Sequence, residues 1–367
     1  MTPTAPEPHC DLPLDQILQG DCTRVLETLP PNSVDLIFAD PPYNLQLRQE
    51  LWRPNRTRVN GVSDDWDQIG SFAEYDAFTE TWLRACRRVL KDNGSLWVIG
   101  TYHNIFRVGA ILQNLGFWIL NDVVWIKSNP MPNFRGVRFT NAHETLIWAQ
   151  KERSGRHNFN HQAMKMLNDS LQMRSDWYLP ICSGRERLRT NGVKAHSTQK
   201  PEGLLYRVLM AATQPGDVVL DPFFGSGTTG AVARRLRRHW IGIERDPAYV
   251  ELALQRIAET SIGDDAPSLY NTPDPRQQPR IPFGALLENG LLQVGQTLHF
   301  AADPAVTARV CADGALEYDG QRGSIHAVAR LIHPGPANGW KLWCYEDPTT
   351  HALQPIDHLR QLLRESE

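Results

Sequence analysis

Residues 36–47 read LIFADPPYNLQL, an apolar run that ends in an acid, two prolines and an aromatic residue. The preceding stretch, residues 34–39, is typical of a buried strand in a parallel sheet. A proline lacks the N–H group that a sheet ladder needs, so the strand has to stop at this point. The sequence therefore predicts that residues 40–43 lie at the carboxyl end of a strand, which is where open α/β sheets bind their ligands.

The composition is that of an ordinary globular chain. Of the 367 residues, 41% are hydrophobic and 22% are charged, and no apolar run is long enough to predict a membrane span. Six cysteines are scattered without a C-x-x-C pair. This spacing argues against a zinc site and against a disulfide framework, and it favours a reducing cytoplasm. We therefore expect no metal and no membrane association.

Charge is unevenly distributed along the chain. The net charge is −3, but residues 128–200 hold 12 Lys and Arg residues against 5 Asp and Glu residues. A local excess of positive charge is either a solvated surface or a surface that binds nucleic acid. The run lies between two candidate site motifs, which favours the second interpretation.

The order of the predicted elements indicates the fold class. Apolar strands alternate with amphipathic helices over residues 13–127, and the alternation resumes over residues 202–259. This pattern predicts an α/β protein with a doubly wound, mostly parallel sheet. Residues 128–200 show little periodicity and are expected to be irregular.

The composition also suggests domain boundaries. Residues 1–12 are predicted to be a disordered tail, and residues 13–260 a catalytic domain with a target-recognition insertion at about 128–195. Residues 261–280 contain four prolines and few large apolar residues, which is typical of a linker. Short strand-like segments and a final helix in residues 281–367 predict a small C-terminal α+β module.

A second motif follows the same plan as the first. Residues 218–230, VVLDPFFGSGTTG, predict a strand, a glycine-rich turn and the start of a helix. The stretch from Gly225 to Gly230 matches the G-x-G-x-x-G fingerprint of dinucleotide-binding proteins, and Glu244 ends the next strand, where an acid can hold ribose hydroxyls. On this motif alone, an NAD-dependent oxidoreductase is a candidate.

The same geometry suits S-adenosylmethionine, whose methionine end is a zwitterion beside a sulfonium cation. Backbone N–H groups near Gly225 and Gly227 can bind the carboxylate, Asp221 the ammonium group and Glu244 the ribose. Two aromatic side chains before the first glycine are candidates to cover the adenine or the sulfonium: Phe223 and Phe224.

The residues of the first motif suit the activation of an exocyclic amine. The exocyclic amine of a base is a poor nucleophile because its lone pair is delocalised into the ring. Two acceptors on its N–H bonds favour tetrahedral nitrogen, and Asp40 and the carbonyl of Pro41, which Pro42 keeps rigid, can supply them. The ring of Tyr43 offers a face on which a flipped-out base can stack, worth about 1–3 kcal/mol.

The order and content of these motifs resemble the β-class amino-methyltransferases of DNA, in which D-P-P-Y precedes F-x-G-x-G. Further segments carry the resemblance: QGDC at 19–22 and HSTQKPEGLL at 196–205. DPPYNLQL, NPMPNFRG, NAHETLIWA, MRSDW and the C-terminal GSIHAVARLIHPGPANGW are similar to the cell-cycle-regulated adenine methyltransferases of alphaproteobacteria. The similarity extends from about residue 14 to 362, and the chain departs from the group in its longer tail and in Ser197, where proline is common.

The resemblance implies a Rossmann-like methyltransferase fold and S-adenosylmethionine as cofactor. Asp21 would lie near the cofactor adenine, and Thr198 to Lys200 would close over its methionine end. The residues expected to bind the cofactor are Asp21, Cys22, Asp40, Thr198, Gln199, Lys200, Asp221, Phe223, Phe224, Gly225, Ser226, Gly227, Thr228, Glu244 and Arg245. The residues expected to be catalytic are Asp40, Pro41, Pro42 and Tyr43.

DNA contacts are expected in three places. The loop after the D-P-P-Y motif interleaves leucines with arginines, so that apolar side chains can wedge into the base stack while arginines hold phosphates. The segment 133–141 carries Arg and Asn side chains that can read guanine and adenine edges. The predicted contacts are Leu47, Leu51, Arg53, Asn133, Arg135, Arg138, Asn141 and, in the C-terminal module, Ser324, Asn338 and Trp340.

The preferred hypothesis is a bacterial, nucleoid-associated, solitary methyltransferase that methylates N6 of adenine, in GANTC as the resemblance implies. Cytosine-N4 methylation uses the same two acceptors, but serine is more usual there in place of Asp40. Enzymes acting on RNA or protein amines more often carry N-P-P-[YF]. A DNA-binding module with a decayed site and an NAD oxidoreductase are the alternatives from other classes. DNA is the expected partner, and a homodimer is left open.

Overall fold

The structure is a computed structural model that describes residues 12–45, 67, 69–133, 136–190, 192–196, 198–262, 270–272, 280–333, 335 and 337–366. The chain forms two compact units, residues 1–273 and 274–367. The predicted tail, except for residue 12, and most of the predicted linker lie outside the described residues.

The first unit alternates strands and helices along most of its length. In chain order its elements are β1 (Gln16–Gln19), α1 (Cys22–Thr28), β2 (Val34–Ala39), α2 (Phe72–Val89), β3 (Leu90–Gly100), α3 (Ile105–Asn114), β4 (Trp118–Lys127), β5 (His143–Gln150), α4 (His161–Met166), β6 (Asp176–Leu179), β7 (Arg189–Thr190), β8 (Val193–Lys194), α5 (Glu202–Ala212), β9 (Val218–Asp221), α6 (Thr228–Arg235), β10 (His239–Glu244) and α7 (Pro247–Glu259).

Eight of these strands form one sheet in the order β1-β10-β9-β2-β3-β5-β4-β6. Neighbouring strands are parallel except where β5 pairs with β3 and β4. The mostly parallel α/β fold expected from the sequence is confirmed. Because β2 and β9 are adjacent and parallel, the two motifs that follow them leave the sheet at the same edge.

Local sequence explains why these elements form. Apolar residues recur at helical spacing along α2, and Ser71 and Glu74 close a capping box at its start. Strand β2 is almost wholly buried, with Leu36 and Phe38 on one face and Ile37 on the other. Two apolar clusters therefore cover the two faces of the sheet, as a doubly wound fold requires.

The expectation of an irregular segment at 128–200 is wrong in part. Residues 143–150 form β5, which lies in the middle of the sheet between β3 and β4. The stretch also contains α4 and the edge strand β6. Of the residues that the structure describes there, those on either side of β5 and after β6 form no long regular element besides α4.

The second unit has a core of its own. Its elements are α8 (Gly284–Glu288), β11 (Thr297–Phe300), β12 (Asp303–Val310), β13 (Leu316–Tyr318), β14 (Gln321–Gly323), α9 (Ile325–Ile332), α10 (Gly339–Leu342), β15 (Trp343–Glu346), β16 (Leu353–Pro355) and α11 (Ile356–Ser366). Antiparallel strands in the order β14-β13-β12-β11-β15-β16 form one sheet. Buried residues such as Leu298, Leu316 and Trp343 fill its core.

Candidate active site

The carboxylate of Asp40 follows β2 directly and forms a largely buried ion pair. The Nζ atom of Lys200 lies 2.5 Å from Asp40 Oδ2. The side chain of Lys200 is 8% exposed and that of Asp40 is 19% exposed. Burial raises the pKa of the Asp40 carboxyl, although Lys200 opposes the shift. Burial acts to lower the pKa of Lys200, but the carboxylates of Asp40 and Glu144 outweigh it and raise that pKa.

Tyr43 is joined to a second buried ion pair. Its hydroxyl donates a hydrogen bond to Glu144 Oε2 at 2.9 Å, and Lys127 Nζ lies 2.8 Å from Glu144 Oε1. Burial acts to raise the pKa of Glu144, but Lys200 and Lys127 hold it below its usual value. Two carboxylates and two ammonium groups thus meet around Tyr43. Neither Glu144 nor Lys127 is among the site residues predicted from the sequence.

The two prolines between Asp40 and Tyr43 are fixed by neighbouring side chains. The hydroxyl of Tyr75 donates to the carbonyl of Pro42 at 2.9 Å, and Asn104 Nδ2 donates to the Tyr75 hydroxyl at 3.1 Å. Within the described part of the chain, no group donates to the carbonyl of Pro41. The structure therefore leaves available the carbonyl that the sequence analysis chose as an acceptor.

The chain beyond Tyr43 begins with an anchored turn. Asn44 is buried with a positive φ of 52°, and its N–H donates to Asp67 Oδ1 at 2.9 Å. The N–H of Leu45 donates to the other oxygen of Asp67 at 3.1 Å. Residues 46–66 lie outside the described residues, and with them the predicted DNA contacts Leu47, Leu51 and Arg53.

The glycine-rich turn after β9 depends on the absence of side chains. Gly225 and Gly227 have positive φ values of 51° and 71°. A Cβ atom on Gly227 would lie 2.7 Å from the Cβ atom of Ala253, and one on Gly225 would lie 3.1 Å from Nε2 of His196. This shape lets the turn reach the start of α6, where Thr228 and Ser226 are buried.

The sequence predicts that the N–H groups near Gly225 and Gly227 bind a ligand carboxylate, but in this conformation both glycine N–H groups already have acceptors within the protein. The N–H of Gly225 donates to Glu244 Oε2 at 2.7 Å, and that of Gly227 to the carbonyl of Phe224 at 2.9 Å. Among the described residues, Ser226 is the member of this turn whose N–H has no acceptor.

Asp221 ends β9 as a buried carboxyl. It accepts hydrogen bonds from the N–H of Phe223 at 2.9 Å and from the hydroxyl of Thr229 at 2.6 Å. Burial raises the pKa of Asp221 to about 7, with a further contribution from the nearby carboxylate of Asp40. A buried acid with so high a pKa favours a cationic ligand, which would stabilise the ionised form.

The prediction that Phe224 covers the cofactor is wrong. Its ring is 3% exposed, stacks on Trp240 and fills the space above Gly230 and Gly242, where a Cβ atom would lie 2.6 Å and 2.4 Å from it. The ring is therefore part of the core. Phe223 is half-buried, and its ring meets Trp82 edge to face with 5.3 Å between ring centroids.

The segment 198–200 connects the two motifs. The hydroxyl of Thr228 donates to the carbonyl of Lys200 at 3.4 Å, while the side chain of Lys200 pairs with Asp40. Gln199 donates to the carbonyl of Glu186 and accepts from the N–H of Leu188. These contacts hold the segment against both turns at the carboxyl edge of the sheet.

Thr198 is tied to a buried imidazole. Its N–H donates to Nδ1 of His196 at 3.3 Å, which assigns the ring proton of the neutral imidazole to Nε2. Burial lowers the pKa of His196 to about 4, helped by the charges of Lys200 and Arg187. The ring is therefore neutral at pH 7 and lies beside Gly225.

Glu244 and Asp21 lie at neighbouring strand ends, since β1 pairs with β10 in parallel. Glu244 Oε1 accepts from the N–H groups of Arg245 and Asp246, each at 2.8 Å. Asp21 caps α1 by accepting from the N–H of Thr23 at 3.0 Å, and Cys22 starts that helix as a buried side chain. Both carboxylates accept hydrogen bonds from backbone N–H groups of the protein itself. Their contact with a cofactor stays a prediction.

The predicted DNA contacts near residue 138 are exposed. Arg138 donates to the hydroxyl of Tyr102 at 2.6 Å, and its guanidinium lies 5.9 Å from that ring. Phe139 beside it is 98% exposed. Asn141 is exposed as well, whereas Asn133 accepts from the N–H of Gly136 at 3.1 Å. Arg135 lies outside the described residues.

The three residues predicted to bind DNA in the second unit have structural roles. Ser324 caps α9 and Asn338 caps α10 through their side chains. Trp340 is 7% exposed, with Arg360 over its ring at 4.4 Å and Phe283 against its edge. A ring packed in this way has no free face on which a base could stack, so in this conformation the structure does not support the predicted DNA contact of Trp340.

The described part of the chain offers neither a metal site nor a membrane-spanning helix. No group of three or more His, Cys, Asp or Glu side chains there could hold a metal ion. None of the helices found there combines the length and the apolar character that crossing a membrane requires.

Comparison with known proteins reveals two family matches. Residues 34–255 match the model of a DNA methylase family, and residues 264–367 match a family described as Restriction Enzyme Adenine Methylase Associated. The first match covers the elements that carry Asp40, Glu144, Lys200 and Asp221, and it begins after Asp21 and Cys22.

Two similar proteins are Type II methyltransferases. The Type II methyltransferase M.HinfI of Haemophilus influenzae is 48% identical over 329 residues, which cover 89% of this chain and 91% of the relative. The Type II methyltransferase M2.DpnII of Streptococcus pneumoniae is 42% identical over 242 residues, covering 66% and 88%. Among solved structures, the cytosine-N4-specific PvuII DNA methyltransferase superposes with a TM-score of 0.53 at 23% identity, covering 69% and 90%, which shows the fold alone.

Proposed function

The chain belongs to this DNA methylase family, and we propose that it transfers a methyl group from S-adenosylmethionine to N6 of adenine in DNA. The observation that carries the proposal is the meeting of three segments at one edge of the sheet. Lys200 pairs with Asp40 through its side chain and accepts a hydrogen bond from Thr228 through its carbonyl. A carboxylate suited to an amine therefore lies beside a turn suited to the methyl donor.

The target amine is activated by two acceptors from one rigid turn. Asp40 accepts one N–H bond, and the carbonyl of Pro41 accepts the other. The carbonyl of Pro42 is already engaged by Tyr75, which leaves the Pro41 carbonyl as the acceptor. Acceptors fixed in advance favour the developing tetrahedral nitrogen without reorganisation, which is the main way in which such sites lower a barrier.

The residues of this chain fit the methyl donor, whose sulfonium supplies an electrophilic methyl group when bound. Asp221, a buried acid with a pKa of about 7, suits the ammonium group of the donor. The N–H of Ser226 suits its carboxylate, and the remaining lone pairs of Glu244 suit its ribose hydroxyls. The donor would thus be held by charge at one end and by hydrogen bonds at the other.

A surface next to this edge suits duplex DNA. Tyr102 follows β3 and holds Arg138, while Val137 and Phe139 are 78% and 98% exposed. Exposed apolar side chains beside a cation are the combination that minor-groove and base-wedging proteins use. We assign Arg138 and Asn141 to base contact and extend the assignment to Arg135, Leu47, Leu51 and Arg53 as predictions from the sequence.

The finer features of the proposal rest on the sequence resemblance. They are GANTC as the target, a solitary methylase that acts in the cell cycle and in DNA replication, and a place in the bacterial cytoplasm at the nucleoid. Homodimer formation is part of the same proposal, and sedimentation of the purified chain with and without duplex DNA tests it.

The central experiment measures methyl transfer to duplexes that contain one GANTC site, followed by identification of the methylated base. We expect N6-methyladenine in GANTC and at least tenfold slower transfer to each duplex with one altered base pair. N4-methylcytosine as the product would overturn the choice of base, and equal rates on all duplexes would overturn the specificity.

The role of Arg138 is tested with the same set of duplexes. A base contact is worth about 1–3 kcal/mol at one position, so Arg138→Ala should relax selectivity at a single base pair. A common factor on all duplexes would instead indicate a phosphate contact. Arg153→Ala is the matched control, since Arg153 also lies over an exposed aromatic ring, that of Trp118, at 4.9 Å.

The second unit is proposed to contribute DNA affinity. A chain that ends at about residue 270 should retain S-adenosylmethionine binding and lose DNA binding, because the elements around Asp40 and Asp221 all precede that point. Calorimetry with the methyl donor checks the first statement, and fluorescence anisotropy with a labelled duplex checks the second. Unchanged DNA affinity would restrict the second unit to another role.

A further inference from the structure

We infer that Glu144 is a positioning residue that accepts the hydrogen bond of the Tyr43 hydroxyl and thereby reserves the carboxylate of Asp40 for the target amine. The inference rests on the proposed function and adds a residue to it. Glu144 comes from β5, two strands away from the turn that carries Asp40, and is 101 positions from Tyr43 in the sequence.

The burial of Glu144 requires an explanation. The residue is 8% exposed, and an ionised carboxylate is costly to remove from water unless it is paired and hydrogen-bonded. Its partners are a hydroxyl, that of Tyr43 at 2.9 Å, and an ammonium group, that of Lys127 at 2.8 Å. Lys127 is itself only 12% exposed at its side chain. An apolar residue could have filled the same space, so the retained charge points to a role at the site.

Glu144 and Lys127 are also held by regular structure. Lys127 is the last residue of β4 and Glu144 the second of β5, and the two strands are paired in antiparallel register along this stretch. The N–H of Lys127 donates to the carbonyl of Ala142 at 2.8 Å. A carboxylate mounted on a central strand can fix the Tyr43 hydroxyl more closely than one on a loop.

Two carboxylates compete for the single proton of the Tyr43 hydroxyl. Asp40 is near enough to hydrogen-bond with Tyr43, and the two carboxylates and burial together raise the pKa of Tyr43 well above its usual value. The hydroxyl therefore stays protonated and can satisfy one acceptor only. In the structure it donates to Glu144. If Glu144 were absent, the hydroxyl would turn to Asp40 and occupy an acceptor that the amine needs.

Lys200 interacts with both carboxylates. Its ammonium group forms an ion pair with Asp40 and also has a favourable electrostatic interaction with Glu144. Its Nζ lies 5.2 Å from the centroid of the Tyr43 ring. The two carboxylates share a buried place with two ammonium groups, and among the described residues Tyr43 is a neutral donor within reach of both carboxylates.

A double-mutant cycle tests the inference. Glu144→Gln should lower the turnover number at saturating DNA and methyl donor at least tenfold, because the amide accepts the hydroxyl less well and Tyr43 turns to Asp40. In a Tyr43→Phe background no hydroxyl exists, so adding Glu144→Gln should change turnover less than twofold. Affinity for S-adenosylmethionine, measured by calorimetry, should stay within twofold throughout.

Other outcomes separate the possibilities. An equal loss from Glu144→Gln in both backgrounds would show that Glu144 only supports the fold around Lys127 and would overturn the inference. Lys127→Met, which removes the ammonium group but keeps the carboxylate, is the control for that support and should act equally in both backgrounds. Failure of the proposed function is distinguishable, because it would appear as wild-type transfer to another base or no transfer, whatever the cycle shows.

Discussion

The two turns that leave adjacent strands β2 and β9 are built in opposite ways. The turn at residues 40–43 depends on charges, since Asp40 and Tyr43 are held by buried Lys200 and Glu144. The turn at residues 222–227 depends on shape, since it bends where a side chain would collide with Ala253. The first turn should therefore be sensitive to loss of charge at constant shape, and the second to gain of volume at constant charge.

The largest expected effect is at the charged turn. Asp40→Asn keeps the shape of the side chain but removes its charge and leaves Lys200 unpaired. Loss of one preorganised partner of the transition state costs about 3 kcal/mol or more, so turnover should fall by at least about a hundredfold. Single-turnover methyl transfer measures this, with the circular dichroism spectrum as the test of an intact fold. Retention of more than a tenth of wild-type turnover would contradict the assignment of Asp40 as a catalytic residue.

The next largest effect is at the turn that depends on shape. Gly227→Ala adds a Cβ atom 2.7 Å from that of Ala253 at a φ of 71°. The left-handed conformation costs a non-glycine residue about 1–2 kcal/mol, and forced repacking adds about 1–3 kcal/mol. Thermal unfolding should show this loss, together with weaker binding of the methyl donor.

Gly216→Ala is the matched control for that experiment. Gly216 also has a positive φ, 88°, but nothing lies within 4 Å of where its Cβ atom would be. It should lose only the conformational cost and leave the affinity for the methyl donor unchanged. If the two variants were equally stable, shape would not be what the turn at Gly227 requires.

The smallest expected effect is a pH dependence of methyl-donor affinity through Asp221. It tests whether ligand binding at the second turn also depends on charge. Asp221 has a pKa of about 7, so the fraction ionised rises about tenfold between pH 6 and pH 8. Affinity for the ammonium group of S-adenosylmethionine should rise in proportion and then level off. Calorimetry at pH 6 in two buffers of different ionisation enthalpy should detect proton release on binding, and Asp221→Asn should abolish it.

The same group has an opposite effect on the stability of the free protein. Its pKa is raised on folding from 3.8 to about 7, so the folded state binds the proton more tightly than the unfolded state. The contribution of Asp221 to the free energy of unfolding is therefore greatest below about pH 4 and declines as the pH rises to about 7. Absence of both pH effects would show that Asp221 is ionised well below neutrality.

Local sequence predicted the two motifs and the fold because each depends on neighbours in the chain. The apolar run before Asp40 and the glycines after β9 dictate a strand end and a turn whatever the rest of the chain does. The prediction of a DNA methyltransferase is confirmed by family membership, which also excludes the NAD oxidoreductase that the glycine motif alone left open.

Predictions failed where long-range packing decides the outcome. Phe224 and Trp340 stand beside polar turns in the sequence, yet both rings are buried by residues of other elements. Strand β5 was missed because it begins with polar residues after an irregular stretch, and only its pairing with β3 and β4 makes it a strand. Glu144 was missed with it, since no local pattern indicates a hydrogen bond to a tyrosine 101 positions away.

The pairing of β2 with β9 has a consequence for how the protein is made. Ile37 faces Leu220 across the sheet, 183 positions later in the chain, and the bond between Asp40 and Lys200 spans 160 positions. Contacts of such high sequence separation form slowly, because a long loop must close before they repay its entropy. At about 5–20 residues per second, about 8–32 seconds of synthesis separate the appearance of Asp40 from that of Lys200. A nascent chain therefore carries an exposed acid without its cation for much of its synthesis, and methylation can begin only after the ribosome has released the second half of the sheet.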